Sequence, residues 1–599
     1  MRMTRRTLCA AAIGLVSVLS GWAPALALQV VDVQGMRLVS VPDDAVAAES
    51  RQADIVILGG SLGGVAAALA ACDEGRTVIL TEETDWLGGQ ATSQGVSALD
   101  ENRWIETTGG TRSYLDFRRR IRDWYRKNTK LTPQARDTVE LDPGNSWVTR
   151  LGFEPKVGVA VIDDMLAPHR TSGKLSTLMR HKIARAQREG SRIQWVEVVD
   201  LQTGELTRLT GTYFIDATEL GEPLVVCRVQ HVVGAESREQ TGEPHARTDG
   251  PHPECVQSFT YPFALRLQSE PGKPVARVPN YEHHVVNQPY TFMHLYYDQR
   301  GWVRYGMFER VEGSYGPFWT YRRLIDKTNF DDPAYGQDVA MINWPGNDYR
   351  RMSLITDEPE QMLQALREAK ELALGFCHWL QTDAPRDEGG KGYPEAVLDA
   401  SVMGTSDGLS KYPYIRESRR IKALYTIVEQ DVAAEFFKDQ VRARHFADSV
   451  GIGWYGIDIH PNDAETKLPP AATKPFQIPL GALISVDTDN LLAACKNIGT
   501  THITNGCYRL HPIEWNLGEA AGLLAARCIR SNETPRQIHS RSDRVLELQR
   551  QLVARGVPIF WYDDVGPADA DFAQAQLTPF TDPAELRRVK NTLSYRPPR

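Results

Sequence analysis

The chain has no pair of cysteines at a spacing that would staple a small domain or hold zinc. Eight cysteines are scattered through 599 residues, and seven remain once the leader-like N-terminus is set aside. An odd, unpaired set excludes a disulfide framework and a cysteine-based zinc site, so no metal is expected. Beyond residue 27 no apolar run reaches membrane-spanning length, which predicts no integral membrane segment after leader removal. A basic excess is also missing. The formal charge is −8, or −11 without Arg2, Arg5 and Arg6 of the leader, and that balance excludes a nucleic-acid surface. There is no internal repeat and no second glycine-loop nucleotide motif, which disfavours a separate NAD(P)H domain.

The N-terminus has the make-up of an export signal. Arg2, Arg5 and Arg6 precede an apolar run from Leu8 to Leu19, and Ala25 to Ala27 offers small residues for cleavage. Thr4-Arg5-Arg6-Thr7-Leu8 has the form of a twin-arginine signal, the route for proteins exported already folded, so a periplasmic or secreted location is expected.

The most informative segment is Asp54 to Glu82, which reads as strand, glycine turn, small-residue helix, second strand and terminal acid. That order builds a dinucleotide site: Gly59 makes the tight turn, Ser61 lets the backbone approach a pyrophosphate, Gly64 allows close helix contact, and the helix N-terminus faces the phosphate charge. Gly60, Leu62 and Gly63 complete the turn, and Glu82 is placed for a ribose hydroxyl. Glu83 follows, and Gly88, Gly89 and Gln90 close the unit with paired glycines that permit close backbone approach to a ligand.

Downstream, Leu175–Ile183 and Ile193–Val199 read as strands, with a turn at 202–205 before a strand ending at Ile215. From 236 to 475 the chain turns aromatic, Pro-rich and irregular around a helical stretch near 358–381, the composition of a substrate-covering unit. Residues 490–495 form an apolar strand that rejoins the nucleotide unit. After a polar loop, Ile513–Cys528 predicts a helix whose small face, Gly518, Ala521, Gly522 and Ala525, allows tight packing. A charged helix near 541–555 starts the C-terminal part.

Several runs taken together resemble the FAD-dependent oxidoreductases that share the glutathione-reductase type of nucleotide domain. They are Val56–Gln90, Tyr213–Gly221, Gly234–Ser237, Tyr414–Ile421 and Asn497–Gly522, which span nearly the whole mature chain. The resemblance implies an α/β fold: a Rossmann-like FAD-binding domain, parallel sheet plus β-meander, with an inserted α+β substrate domain and a small C-terminal appendage. The expected bounds are 1–27 signal peptide, 28–235 and 476–535 FAD-binding domain, 236–475 substrate domain and 536–599 appendage. It further implies that the first glycine loop holds the pyrophosphate, that Glu82 holds the adenosine ribose, that a residue near Ile183 touches adenine, and that Ala217, Thr218 and the segment 499–522, with Asn516, Leu517 and Gly518, border the cofactor. One departure stands out: the family's Ala-Thr-Gly-Asp turn is Ala217-Thr-Glu-Leu-Gly221 here, with the glycine two positions late. The variant matches a secreted branch in which some relatives carry a polysaccharide-lyase (xanthan lyase) label.

The implied chemistry is exported, FAD-dependent, two-electron oxidation of a polar small organic or sugar-like substrate by hydride transfer to flavin N5, with electrons passed on to oxygen, a quinone or a soluble carrier. His502 or His511, in the polar run 501–514 with Arg509, is the expected general base, since imidazole exchanges protons near neutral pH; the other reading is that both bond backbone carbonyls. His502 or Cys507 is also a candidate for a covalent flavin link. Arg416, Arg419 and Arg420 form a basic cluster suited to a carboxylate or hydroxyl-rich substrate. If that segment is helical, Arg416 and Arg420 share a face and Arg419, on a neighbouring face, pairs with Glu417 or a domain-interface carboxylate. Tyr414, Asn347 and Asp348 are further substrate candidates. Two other readings compete: a polysaccharide lyase or hydrolase with a structural nucleotide fold, which needs Arg416 and His502 to converge, and a non-catalytic flavin-binding envelope protein.

Overall fold

A computed structural model describes residues 28–296, 300–465 and 472–582; the leader expected at 1–27 lies outside the described residues. Its main sheet is parallel in the middle and antiparallel at one side. Strands Leu175–Met179, Val78–Glu82, Glu49–Leu58 and Leu206–Asp216 run parallel in that order, and Arg192–Asp200 and His181–Glu189 continue it as an antiparallel meander. The long strand Leu206–Asp216 serves both parts: its first half pairs with the meander at 196–199, and its end takes a late parallel partner, Leu491–Ala493.

The run read as one strand at Leu175–Ile183 is two. Arg180 takes a left-handed φ of 62° between Leu175–Met179 and His181–Glu189, which sends the first piece into the parallel sheet and the second into the meander. The strand entering the glycine turn carries Ile55 to Leu58, all buried, as expected for a sheet covered on both faces.

Helix Leu62–Asp73 crosses one face of the sheet and packs along helix His511–Ser531. Their contact is backbone to backbone. A Cβ on Gly518 would run into the Gly63 carbonyl, and one on Gly522 would run into that of Ala67. The small-residue face of the later helix therefore serves helix packing. That helix starts at His511, two residues earlier than the sequence suggests, and the polar run before it is itself mostly helical, His502–Tyr508.

A second apolar core lies around a four-stranded antiparallel sheet, ordered Arg323–Ile325, Val339–Ile342, Phe263–Leu267 and Ala396–Leu398. Helix Pro359–Thr382 covers it through Leu366, Ala369, Ala373 and Phe376. The segment Tyr412–Arg419 is irregular and ends in the two-residue strand Arg420–Ile421, so the helical face imagined for Arg416 and Arg420 does not form. No helix among the described residues is long and apolar enough to cross a membrane.

Candidate functional site

The glycine turn sits at the carboxyl ends of the central parallel strands, where a doubly wound sheet opens for a ligand. Gly59 has φ of 95°, and a Cβ there would strike the Ala217 carbonyl, so only glycine brings the two strand ends this close. The Gly60 amide donates to Glu82 Oε2 at 2.9 Å, and its carbonyl accepts from the Gly88 amide at 2.7 Å, which ties the turn to the second glycine loop. Ser61 caps the helix, accepting from Gly64 at 3.3 Å. The Gly63 amide donates to Glu514 at 3.3 Å. Leu62 is buried at the helix start.

These strand ends border a partly open cavity with about 470 Å³ of free space, lined by Gly59, Gly60, Ser61, Glu82, Glu83, Gly89, Ile183, Ala217 and Thr218, with Gln94, Lys182, Glu219, Glu222 and Tyr412. Gln94 Nε2 and Glu219 Oε1 are buried here without protein partners, one donor and one acceptor. A glycine cradle, a helix N-terminus and unsatisfied polar atoms on one cavity fit a dinucleotide with its diphosphate at the turn. Replacing Gly59 by alanine, which puts a Cβ into the Ala217 carbonyl at a left-handed φ, is expected to remove bound cofactor. The check is the ratio of flavin absorbance to polypeptide after purification, and an unchanged ratio would refute the cradle.

The late-glycine turn is also resolved. Thr218 folds back, its amide and hydroxyl donating to Asp216 Oδ1 at 3.0 and 2.7 Å, and Gly221 supplies the left-handed φ of 68° that starts the next short helix. The displaced glycine lets Glu219 reach Lys496 from the cavity wall. Lys496 is wholly buried and also lies 3.1 Å from Glu514, whose other contacts are Gln90 Nε2 at 2.6 Å and the Gly63 amide. Lys182 forms a second buried hub, 2.8 Å from Glu83 and 3.0 Å from Glu222.

Burial pushes Glu82, Glu219, Glu243 and Asp216 each up to about 7, against the hydrogen bonds they accept and, for Glu219, the Lys496 charge. The native chain then holds protons that the unfolded chain has released, so stability falls as pH rises through about 7. His502, raised in the fold, adds loss in the same direction above its ordinary value. A melting midpoint of flavin-free protein that drops between about pH 4.5 and 7, with a smaller drop for Glu243→Gln, is the expected result; a midpoint rising across that window would refute the assignment.

Beside the cavity lies a buried polar cluster. Gln94 Oε1 accepts from the Ile415 amide at 3.1 Å, and Gln90 Nε2 donates to the Arg509 carbonyl at 3.2 Å, so the second glycine loop bonds to the cluster as well. Arg509 donates to the Tyr414 hydroxyl at 2.9 Å and to Asp458 at 3.1 Å. Arg416, over the Tyr414 ring at 4.8 Å, donates to Ser258 and Thr260 at 2.9 Å and lies 3.0 Å from Asp348. Asp348 Oδ2 is 2.5 Å from His460 Nδ1, and His460 Nε2 faces Asp458 at 3.4 Å. Arg322 pairs with Asp100 at 2.9 Å and donates to the Tyr321 hydroxyl at 3.2 Å. Burial disfavours the charged forms of Asp348 and Asp458, yet Arg416 with His460, and His460 with Arg509, hold both carboxyls well below their ordinary range.

The structure draws Tyr414, Arg416, Arg509 and Asp348 into this cluster and takes the other candidates elsewhere. His502 is clamped between Glu417 at 2.8 Å and Glu465 at 3.2 Å; burial opposes its charge, but the two carboxylates push it up to about 10, so it is an imidazolium at neutral pH with no capacity to accept a proton. His511 is fully buried, accepts from the Asp100 amide at 3.1 Å, bonds the Val96 carbonyl at 3.0 Å, and is pulled down by burial to about 4. Both ring nitrogens therefore serve backbone groups. Burial raises the Cys507 thiol, which donates to the Thr504 carbonyl at 3.3 Å. Arg419 donates to the Leu220 and Thr356 carbonyls at 3.1 and 3.3 Å, and it is Arg420 that pairs with Glu417, as well as with Glu236 at 2.9 Å. Asn347 holds its own turn, accepting from the Trp344 amide at 2.9 Å. Asn516 bonds Val450 and Ile452 at 3.2 and 3.3 Å, Leu517 is in the core, and Gly518 faces Gly63. His460, Asp458, Lys496 and Glu219 went unmarked in the sequence, since each gains its meaning from a distant partner.

No curated protein matches the chain. Among solved structures it is similar to a geranylgeranyl bacteriochlorophyll reductase-like protein from Thermoplasma acidophilum, with 9% identity over 90% of this chain and 100% of that one and a TM-score of 0.31. It is similar to E. coli quinol fumarate reductase at 9% identity, over 89% of this chain and 86% of that one, TM-score 0.30. It is also similar to L-proline dehydrogenase from P. horikoshii at 16% identity, over 32% of this chain and 26% of that one, TM-score 0.15. The chain thus spans about a quarter of that dehydrogenase. The model of the FAD dependent oxidoreductase family matches residues 54–552, from the opening strand of the glycine turn into helix Ser542–Arg555. The chain belongs to the FAD dependent oxidoreductase family, with FAD as its cofactor.

Proposed function

We propose that the protein is an exported enzyme that oxidises a polar small organic or sugar-like substrate beside the glycine cavity, at the polar cluster, and passes the electrons to an external acceptor, oxygen, a quinone or a soluble carrier. Flavin, when bound, supplies two-electron chemistry by taking a hydride at N5. The chain's own residues do the rest. Gly59, Gly60 and Ser61 would receive the diphosphate and Glu82 and Ile183 the adenosine end, and Gly89, Gln94 and Glu219 line the same cavity. The observation that carries the reading is the link between the two: Gln94 and Gln90 bond from the second glycine loop to Ile415 and Arg509 of the cluster. Substrate and cofactor sites on two sides of one loop are what positioning for direct transfer requires.

The twin-arginine leader supports export with cofactor already inserted, into the periplasm or medium. A lyase would need Arg416 and His502 to act on one substrate, whereas Arg416 is engaged with Asp348 and His502 with Glu417 and Glu465. Anaerobic mixing of FAD-loaded protein with a panel of sugars, amino acids and organic acids tests the proposal. A donor should bleach the flavin bands within a turnover, and failure across the panel would refute substrate oxidation.

A further inference from the structure

We infer that a second cavity, walled by Glu236, Glu243, His245 and Glu465, is a binding site for a primary ammonium group on a short aliphatic stem, with Glu243 as its counter-ion.

This cavity is partly open, has about 320 Å³ of free space, and is lined on one side by His502 and Ile503 at the start of helix His502–Tyr508. Local backbone geometry brings Glu243 to it. The short helix Arg238–Thr241 ends at Gly242, whose left-handed φ of 72° turns the chain, and Glu243 follows with 1% of its surface exposed. One carboxylate oxygen is fully engaged: Glu243 Oε1 accepts from the Thr501 hydroxyl at 2.7 Å and from the Glu429 amide at 2.9 Å. These bonds hold the carboxyl group in place. Its other oxygen, Oε2, is buried without a partner in a residue that lines the cavity. A buried acceptor left open on a cavity calls for a donor from outside the chain.

The surrounding charges say which donor. The neighbouring carboxylates each have a cation: Glu236 has Arg420 at 2.9 Å, Glu465 has His502 at 3.2 Å, and Glu429 has His245 at 2.7 Å. Arg247, also on the wall, is turned to Asp249 at 2.9 Å. Glu243 differs, because its partners are a hydroxyl and an amide and its second oxygen has none. Burial, with the like charge of Glu236, pushes it up to about 7, and a cation at Oε2 would hold it ionised.

The geometry favours an ammonium over a metal ion. A metal needs several donors converging on one point. The donors that do converge nearby, His245, Glu429 and Glu435, leave Glu243 out. A single open oxygen suits one N–H of an ammonium, which makes a charge-assisted bond there. Ala235, Ala246, Ile459 and Ile503 supply the apolar lining for the carbons of the stem. The His245 side chain keeps 34% of its surface open, which places the entrance at that edge.

The test uses full-length FAD-loaded protein, wild type and Glu243→Gln, titrated by calorimetry with n-butylamine, with n-butanol, which has the stem without the charge, with tetramethylammonium, which has the charge without N–H donors, and with manganese chloride. Amide hydrogen exchange on the wild type, with and without butylamine, locates the site independently of the variant. The expected result is that butylamine binds the wild type at least about 10-fold more tightly than butanol or tetramethylammonium, and that Glu243→Gln weakens butylamine by about 10-fold or more with flavin content unchanged. Butylamine should also slow exchange over residues 243–247. No butylamine binding by the wild type, butanol or tetramethylammonium binding as tightly as butylamine, equal butylamine affinity in Glu243→Gln, or protection confined to other segments would overturn the inference. Manganese that binds the wild type, displaces butylamine and is lost in Glu243→Gln would make the site a metal centre and overturn it equally. If Glu243→Gln does not fold, the wild-type ligand series and its exchange pattern decide. None of these outcomes bears on substrate oxidation, which the bleaching panel tests.

Discussion

Lys496→Met is expected to yield protein that purifies with little or no flavin and melts at a distinctly lower temperature. Lys496 has no exposed side-chain surface and sits between Glu219 and Glu514, both buried. Removing the cation leaves two interior carboxylates without their counter-charge, a change that costs on the order of 3–5 kcal/mol when a buried pair loses one member. The neutral shape of methionine does not help, because the penalty lies in the desolvated anions that remain. Those anions are also where the cofactor matters. Glu219 lines the cavity with one oxygen unpartnered, and Glu514 holds the Gly63 amide at the start of the phosphate-facing helix. Loss of Lys496 thus takes a positive charge from beside the cavity wall at Glu219 and loosens the helix start together. The measurements are the flavin-to-protein ratio and the melting midpoint. Coupling provides the discriminating control: Lys496→Met with Glu219→Gln should recover part of both losses, because the second change removes one of the stranded charges. A double variant that is simply the sum of two defects would show that Lys496 acts by packing alone.

What the sequence made visible and what it hid divide along one physical line. The glycine turn was legible because its requirements are local: the left-handed φ at Gly59, the cap at Ser61 and the acid at Glu82 all fall within one strand–helix–strand unit. The small face of the 511–531 helix was legible as a packing surface for the same reason, since residues three and four apart share a face without reference to anything else. The charged site was hidden because its pairs are remote. Asp348 and His460 are 112 positions apart, Glu219 and Lys496 are 277 apart, and Gln94 and Ile415 are 321 apart. His502 and His511 looked like bases because imidazole in a polar run has no default partner. Their fates were set by Glu417, 85 positions away, and by the Asp100 amide, 411 away. Arg180 shows the same at the backbone level: one left-handed residue inside an apparently continuous strand run moved half of it to a different part of the sheet.

Arg416→Met is expected to keep the flavin and lose the reaction. The sequence offers Arg416 as a substrate clamp, but its guanidinium is wholly buried and divided among Ser258, Thr260, Asn343 and Asp348. Its effect is therefore carried through Asp348. With Arg416 present, that carboxyl stays ionised despite burial and holds the His460 ring by Nδ1. Without it, Asp348 loses its strongest opposing charge, its pKa rises, and a protonated Asp348 no longer holds the His460 ring as an anion. Arg416 makes none of the hydrogen bonds of the glycine turn and does not line its cavity, so flavin content should be retained. The stability cost should again be on the order of 3–5 kcal/mol, the range for breaking a buried pair. Lysine is not an adequate substitute, because a single ammonium cannot serve the Ser258 carbonyl, the Thr260 hydroxyl and the Asp348 carboxylate from one planar fork. Comparing limiting bleaching rate with half-saturating donor separates the two roles. A positioning residue lowers the rate by about 10²-fold with half-saturation little moved, whereas a direct substrate clamp would raise half-saturation first. If Arg416→Met raises half-saturation and leaves the limiting rate intact, Arg416 binds substrate, and the chain of control from Arg416 through Asp348 to His460 is wrong.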